Sequence, residues 1–169
     1  AQQADAIILV VGEDAGMSGE AASRSQLNLP GVQEEFVRTI AAIGKPTVMV
    51  LMNGRPLTIA RAAENVPAIL ETWFLGIQHG NAVAEVLFGD INPSGKLPVT
   101  FPRSVGQIPL YYNYKHTGRP FAADNSYTSR YLDISNTPLY PFGYGLSYTR
   151  FEYGNLQVSS SKIKMQDSL

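Results

Sequence analysis

Three short apolar runs alternate with helix-forming segments along the first half of this chain. They are AIILVV at residues 6–11, TVMVLM at 47–52 and AILETW at 68–73. The run at residues 6–11 is continuously apolar and does not alternate, which is typical of a strand buried on both faces of a parallel sheet. The β-α-β-α-β-α order therefore predicts an α/β fold, a three-layer sandwich in which helices cover both faces of a mostly parallel sheet.

The clearest helix is predicted for GVQEEFVRTIAAIGKP, residues 31–46. Its apolar residues recur at helical spacing, two glutamates fall in its first turn, and Gly44, followed by a lysine and a proline, ends it. Further helices are predicted for residues 57–63 and for GNAVAEVLFGD at 80–90. From residue 104 to 139 the chain is rich in Tyr, Pro, Gly, Asn and Ser and shows little periodicity, which predicts a long irregular segment.

Composition excludes several classes of function. The 169 residues are 44% hydrophobic and 16% charged, which is typical of one globular domain. A net charge of −1 gives no general affinity for nucleic acid or anionic membrane. There is no cysteine, the two histidines lack ligand spacing, and no apolar run approaches the roughly 18 residues that span a bilayer. The glycines match no nucleotide-binding pattern. Together with the absence of cysteine and of histidine ligand spacing, this predicts no metal and no cofactor.

The two ends of the sequence suggest a piece of a longer protein. The opening AQQADA looks like the end of a helix that runs straight into a strand. A sheet of this type seldom begins so abruptly, so we expect the sequence to be a piece cut from a longer protein. At the other end, FEYGNLQVS alternates like a strand, so residues 151–169 are expected to start a following β domain or to form a linker.

One loop concentrates the chemistry that this sequence offers. It begins after Gly12 and holds Glu13, Asp14 and Glu20, with Arg24 close behind. Ligands in open α/β sheets bind where loops leave the carboxyl ends of the strands, so a site is expected here. A carboxyl group can act as a general acid near neutral pH when burial or a neighbouring like charge raises its pKa. Arg24 could instead pair with one of these acids and hold it ionised, and a third reading is that the acids only solvate a surface loop.

Four segments of the chain carry a family resemblance. They are VVGEDAGMSGEAASRSQLNLPG, GKPTVMVLMNGRPL, ILETWFLGIQHGNAVAEVLFGDINPSGKLPVTFPRSVGQIP and LYPFGYGLSYTRFEY. Together they cover nearly the whole chain, and NPSGKLP and FGYGLSYT are the most distinctive parts. The chain resembles the C-terminal α/β sandwich domain of glycoside hydrolase family 3, with particular similarity to bacterial periplasmic β-glucosidases.

The resemblance implies a retaining, exo-acting hydrolase that removes terminal β-linked glucose or xylose. In that mechanism one carboxylate attacks the anomeric carbon, and another carboxyl protonates the leaving oxygen and then deprotonates water. In relatives of this layout the nucleophile is an Asp on an N-terminal (β/α)₈ barrel, and the acid/base Glu comes from the sandwich domain. Residues 1–150 are then that domain, incomplete at its start, and residues 151–169 open a fibronectin type III-like domain or a linker. Family members normally begin this domain with an earlier strand and helix, so the sheet is expected to be truncated at its N-terminal side, which would expose an edge and apolar surface and favour a homo-dimer. The chain alone would be inactive, and the whole protein would be periplasmic or secreted.

The resemblance also indicates site residues. Many relatives carry S-G-E-G-Y or S-E-G-Y-D-R, whose Glu is the acid/base, and SGEAASR has Glu20 at that position. This chain has Ala21 and an alanine after it where relatives have Gly and Tyr, so Glu13 is kept as the fallback. Arg24 and Ser18 are predicted to bind substrate.

Further residues have two readings each. Asn53 and Arg55 follow a strand end and could border the sugar pocket, or Arg55 could hold the loop through hydrogen bonds to carbonyl groups. Trp73 is expected to belong to the core and Lys96 to be structural. For the whole chain, the alternatives are a β-xylosidase, a non-catalytic sugar-binding or docking module, and a self-contained hydrolase that uses Glu13 and Glu20 as its pair.

Overall fold

In the computed structural model, which describes residues 1–116, 118–162 and 164–166, three parallel strands form one sheet. The strands lie in the order β1-β2-β3, with β2 in the centre. The elements are β1 Ile7–Gly12, α1 Gln33–Ala41, β2 Thr47–Met52, α2 Ala60–Asn65, β3 Ala68–Glu71 and α3 His79–Leu87, with short 3₁₀ turns at Ala15–Met17, Gly76–Gln78 and Val105–Gln107. A parallel sheet with helices in its connections confirms the predicted α/β class.

The register of the strands divides their side chains between two faces. Val11 pairs with Leu51, and Leu51 pairs on its other side with Glu71. Because successive side chains of a strand point to opposite faces, every second residue lies on the same face. One face carries the hydrophobic core, which includes Ile7, Leu9, Val11, Val37, Met49, Leu51, Leu57, Ile59, Ala62 and Val66.

The prediction that the first strand is buried on both faces is wrong. Along β1 buried and less buried residues alternate, and the Ile8 and Val10 side chains on its second face are 49% and 60% exposed. β1 is an edge strand of the sheet that the described residues form, whereas the central β2 keeps Val50 buried on that same face. An apolar run cannot by itself distinguish these cases, because burial of the second face depends on what lies over it.

The first two helices pack on the core face of the sheet. α1 has two glutamates in its first turn, where they suit the positive end of the helix dipole, and Gly44 follows its end in a left-handed conformation, as predicted. Val37 from α1 and Ala62 from α2 are both buried in the core. α3 begins one residue before its predicted range and has no buried residue. None of the helices in the described ranges has the length and hydropathy needed to cross a bilayer.

Phe101 joins the irregular second half of the chain to the core. It is 1% exposed and forms an isolated antiparallel bridge with Tyr140. Its ring centroid lies 5.8 Å from that of Trp73 and 6.4 Å from that of Tyr140. The expectation that Trp73 belongs to the core is thereby confirmed, since its ring packs against buried side chains.

The two distinctive motifs of the second half contact each other. Leu97 N donates a 2.8 Å hydrogen bond to Tyr144 O, and the ammonium group of Lys96 donates to the Gly145 carbonyl. A Cβ built on Gly145 would lie 2.5 Å from the Gly95 carbonyl oxygen, so the two backbones approach too closely for any side chain there. Lys96 therefore has the structural role expected of it.

The strand predicted in FEYGNLQVS, residues 151–159, does not form. These residues are exposed and belong to no ladder among the described residues. An alternating pattern produces a strand only beside another strand whose backbone it can pair with. The assignment of residues 151–169 to a following domain or linker stays a prediction, and residues 163 and 167–169 lie outside the described ranges.

Candidate functional site

Two loops meet at the carboxyl edge of the sheet. The acidic loop, residues 13–24, follows β1, and the second loop, residues 53–55, follows β2. Neighbouring parallel strands end at the same edge, so the loops that leave them converge there. Glu13 N donates a 2.7 Å hydrogen bond to Met52 O, which joins the start of one loop to the start of the other.

Glu13 is buried and both of its carboxylate oxygens are occupied. Oε1 accepts a 2.7 Å hydrogen bond from Arg24 Nη1 and lies 3.2 Å from Arg55 Nε, in an ion pair without an aligned hydrogen bond. Oε2 accepts a 3.2 Å hydrogen bond from Gly54 N. The side chain is 0% exposed, so this carboxylate anchors two loops and is turned away from solvent.

Arg55 uses its guanidinium group to hold the acidic loop. Nη2 donates to the carbonyl oxygens of Met17 and Ala22, the latter at 2.9 Å. Together with the Glu13 ion pair, this leaves the side chain 19% exposed. Of the two readings offered by the sequence, hydrogen bonding to loop carbonyls is therefore confirmed for Arg55.

Ser18 packs directly on the second loop. A Cβ built on Gly54 would lie 2.0 Å from Ser18 Oγ and 2.6 Å from Ser18 Cβ. Such distances are impossible for a real side chain, so the contact between the loops requires glycine at position 54. Ser18 is half-buried by this contact, and its predicted role in binding substrate stays a prediction.

Arg24 also makes its contacts within the chain. Nη1 donates to Glu13, and Nη2 donates a 2.9 Å hydrogen bond to Asn28 O. The side chain is 20% exposed. The guanidinium group thus closes the acidic loop at its far end, and its predicted contact with substrate stays a prediction.

Glu20 has the one carboxyl group of the acidic loop that has no partner among the described residues. Asp14 Oδ1 accepts a 2.8 Å hydrogen bond from Gly16 N, and Glu13 is occupied as described. Glu20 is exposed, and the residue after it, Ala21, has a φ of +59°, a left-handed conformation that L-residues rarely adopt. Such backbone conformations cost free energy and persist only where the surrounding structure holds them. They concentrate at functional sites.

Glu71 is a site residue that the sequence reasoning missed. It ends β3 at the same edge, where its Oε1 accepts a 3.0 Å hydrogen bond from Trp73 N. Burial raises the pKa of Glu71 to about 7, against the opposing effects of the Trp73 N–H and the Asn53 side chain. Glu71 Oε2 and Asn53 Oδ1 are both buried without a hydrogen-bond partner among the described residues. The signal was an acidic residue at the end of an otherwise apolar strand.

The fold and this edge define a class of protein: an α/β domain in which a loop braced against the sheet presents a carboxyl group that no other described residue pairs with. A carboxyl group presented in this way can give a proton to a reacting atom or take one from it. Within the described residues, no group of three or more His, Cys, Asp or Glu side chains is arranged to hold a metal ion. One of the two histidines, His79, has its Nε2 3.0 Å from Thr72 Oγ1, within hydrogen-bond distance.

Comparison with known proteins identifies the family. Residues 1–148 match the glycosyl hydrolase family 3 C-terminal domain. The chain is 56% identical over 166 residues to a periplasmic beta-glucosidase of Salmonella typhimurium, covering 97% of this chain and 22% of the relative. It is 49% identical over 164 residues to a beta-xylosidase of Formosa agariphila, covering 96% and 22% respectively.

A solved structure agrees with these matches. The beta-glucosidase from Listeria innocua in complex with glucose superposes with a TM-score of 0.85 at 47% identity, covering 89% of this chain and 21% of that structure. The chain therefore belongs to glycosyl hydrolase family 3, and it corresponds to the C-terminal domain of that family. It spans about a fifth of the length of the curated relatives that it matches.

Proposed function

We propose that this chain is the domain that supplies the general acid/base, Glu20, to a longer retaining, exo-acting β-glucosidase. The observation that carries the proposal is the difference between the three acids of the loop. Glu13 is buried between two guanidinium groups and Asp14 is bonded to a backbone N–H, whereas Glu20 is exposed and unpaired among the described residues. A proton donor must reach its substrate, so Glu20 suits the task and Glu13 does not.

The chemistry needs two carboxyl groups. The nucleophile is an Asp on an N-terminal (β/α)₈ barrel of the same protein, and its carboxylate forms a bond to the anomeric carbon as the bond to the leaving oxygen breaks. Glu20 gives its proton to that oxygen in the same step. Water then attacks the anomeric carbon, gives a proton to the Glu20 carboxylate and releases glucose while the Asp leaves. The chain by itself lacks the barrel, so it is expected to be inactive.

The names of relatives support the substrate and the location. One relative is a periplasmic β-glucosidase and a solved relative was determined with glucose, which supports a terminal β-D-glucosyl substrate and export to the periplasm. A β-xylosidase is the second candidate, because a relative of that name is 49% identical. The ratio of kcat/KM for aryl β-glucoside and aryl β-xyloside separates the two. A homo-dimer stays a prediction.

The test is Glu20→Gln in the full-length enzyme. Loss of the acid is expected to lower kcat/KM for phenyl β-glucoside by about 10²- to 10⁴-fold, because phenoxide is a poor leaving group without a proton. A dinitrophenyl β-glucoside needs no proton for departure, so its kcat/KM is expected to change little. Its turnover is expected to slow at deglycosylation and to recover with azide, which attacks without a base.

Asp14→Asn is the matched control, since it removes a neighbouring carboxyl group from the same loop. It is expected to leave the phenyl glucoside rate near that of the wild type. Unchanged hydrolysis of phenyl glucoside by Glu20→Gln would reject the proposed role. If the isolated chain then also bound glucose, the sugar-binding module would be the better description.

A further inference from the structure

The part of the acidic loop that carries Glu20 is fastened at two points by one side chain. Arg55 donates from a single nitrogen, Nη2, to the carbonyl oxygens of Met17 and Ala22. These two residues bracket the four-residue stretch 18–21, within which Glu20 lies. The backbone on either side of Glu20 is therefore bonded to the same guanidinium group, and the exposed Glu20 carboxyl group lies between the two contacts.

The guanidinium group is itself held in place. Arg55 Nε lies 3.2 Å from Glu13 Oε1, and Gly54 N donates to the other oxygen of the same carboxylate. Glu13 follows β1 directly, and its N–H is bonded to the last residue of β2. The contacts on Met17 and Ala22 are thus connected, through Arg55 and Glu13, to the ends of β1 and β2.

The stretch between the two contacts has a specific shape. Ala21 has a φ of +59°, which an L-residue adopts only when its surroundings hold it there. Ser18, at the other end of the stretch, lies on Gly54 with no room for a Cβ beneath it. Both features fix the direction in which the intervening Glu20 leaves the backbone.

We propose that Arg55 is a positioning residue, which sets the place of the Glu20 carboxyl group through the carbonyls of Met17 and Ala22 and is itself held by Glu13. This inference rests on the proposed role of Glu20. A proton donor works when its carboxyl group lies within hydrogen-bond reach of the leaving oxygen, and a displacement of 1 Å can cost about 10²-fold in rate. Loss of the Arg55 contacts would release both ends of the stretch at once.

The experiment compares two substrates in the full-length enzyme carrying Arg55→Lys or Arg55→Gln. Lysine keeps the charge but lacks the planar fork that reaches a carboxylate and two carbonyls together. Both variants are expected to lower kcat/KM for phenyl β-glucoside by about 10- to 100-fold relative to that for dinitrophenyl β-glucoside. The ratio of the two values does not depend on the fraction of active enzyme, so partial misfolding cannot imitate the effect.

Arg38→Gln is the matched control, because Arg38 makes an exposed ion pair with Glu35 on α1, away from both loops. It is expected to leave the ratio unchanged. A double variant of Glu20→Gln with Arg55→Lys is expected to show the same ratio as Glu20→Gln alone, since Arg55 acts only through the missing carboxyl group.

The outcomes separate the two proposals. An unchanged ratio of the two kcat/KM values in both Arg55 variants, whether or not both values fall, would overturn the positioning role even if Glu20→Gln behaves as expected. If Glu20→Gln leaves the ratio unchanged, the proposed function falls first and the positioning role falls with it. A further change of ratio in the double variant would also overturn the inference, because Arg55 would then act on something other than Glu20.

Discussion

Glu71 makes the stability of the domain depend on pH. Its carboxyl group has a pKa of about 7 instead of the usual 4.5, because burial at the end of β3 disfavours the charged form. Between these two values the folded chain keeps a proton that the unfolded chain has lost. Stability is therefore expected to fall as the pH rises from about 4.5 to about 7. Above that range the contribution of Glu71 is expected to stay constant.

The magnitude follows from the two pKa values. A difference of one pKa unit corresponds to about 1.4 kcal/mol, so ionisation of Glu71 is expected to cost up to about 3 kcal/mol of unfolding free energy at pH 8. Glu71→Gln imitates the neutral form and keeps an oxygen for the Trp73 N–H. The variant is expected to match the wild type near pH 4 and to be more stable at pH 8 by up to about 3 kcal/mol, or about 6 to 12 °C in Tm.

Urea unfolding from pH 4 to pH 8 measures this difference. Trp73 is the single tryptophan of the chain, and its fluorescence reports the region next to Glu71. Glu64→Gln on α2 is the control, because Glu64 is exposed and its replacement is expected to change neither the stability nor its pH dependence. A constant difference between Glu71→Gln and wild type across the pH range would refute the assignment of this pH dependence to Glu71.

Two further predictions concern the contact between the loops. Glu13→Gln leaves two largely buried guanidinium groups without their carboxylate and is expected to lower the free energy of urea unfolding by about 3 to 5 kcal/mol. Glu35→Gln removes one partner of an exposed ion pair and is expected to change the stability little, so similar stabilities for both variants would contradict a buried anchor. Gly54→Ala places a Cβ against Ser18 and is expected to lower kcat/KM of the full-length enzyme for phenyl β-glucoside. Adding Ser18→Gly makes room for that Cβ and is expected to restore part of the activity. An unchanged kcat/KM in Gly54→Ala would show that the two loops separate freely.

The sequence allowed the sheet, its parallel order and the position of the acidic loop at the carboxyl end of a strand to be predicted, because these depend on local patterns and on strand direction. It did not allow burial of β1 to be predicted, since the exposure of Ile8 and Val10 depends on what covers the sheet. The contacts of Arg55 with Met17 and Ala22 were open for a similar reason. Met17 is 38 positions from Arg55 in the sequence and Ala22 is 33, and only the packed loops decide between a carbonyl and a sugar as the partner.

The alternation of the strands accounts for the different burial of the acids. Ile7, Leu9 and Val11 point into the core, and Glu13 is the next residue in the same phase, so its side chain continues the buried row beyond the end of β1. Asn53 continues the core row of β2 in the same way. Their burial thus follows from strand period and needs no catalytic explanation. The proposed function needs an acid that leaves that row in order to reach a substrate. Glu20 does leave it, because it lies seven residues further along, on a loop tied back to the buried row by Arg55.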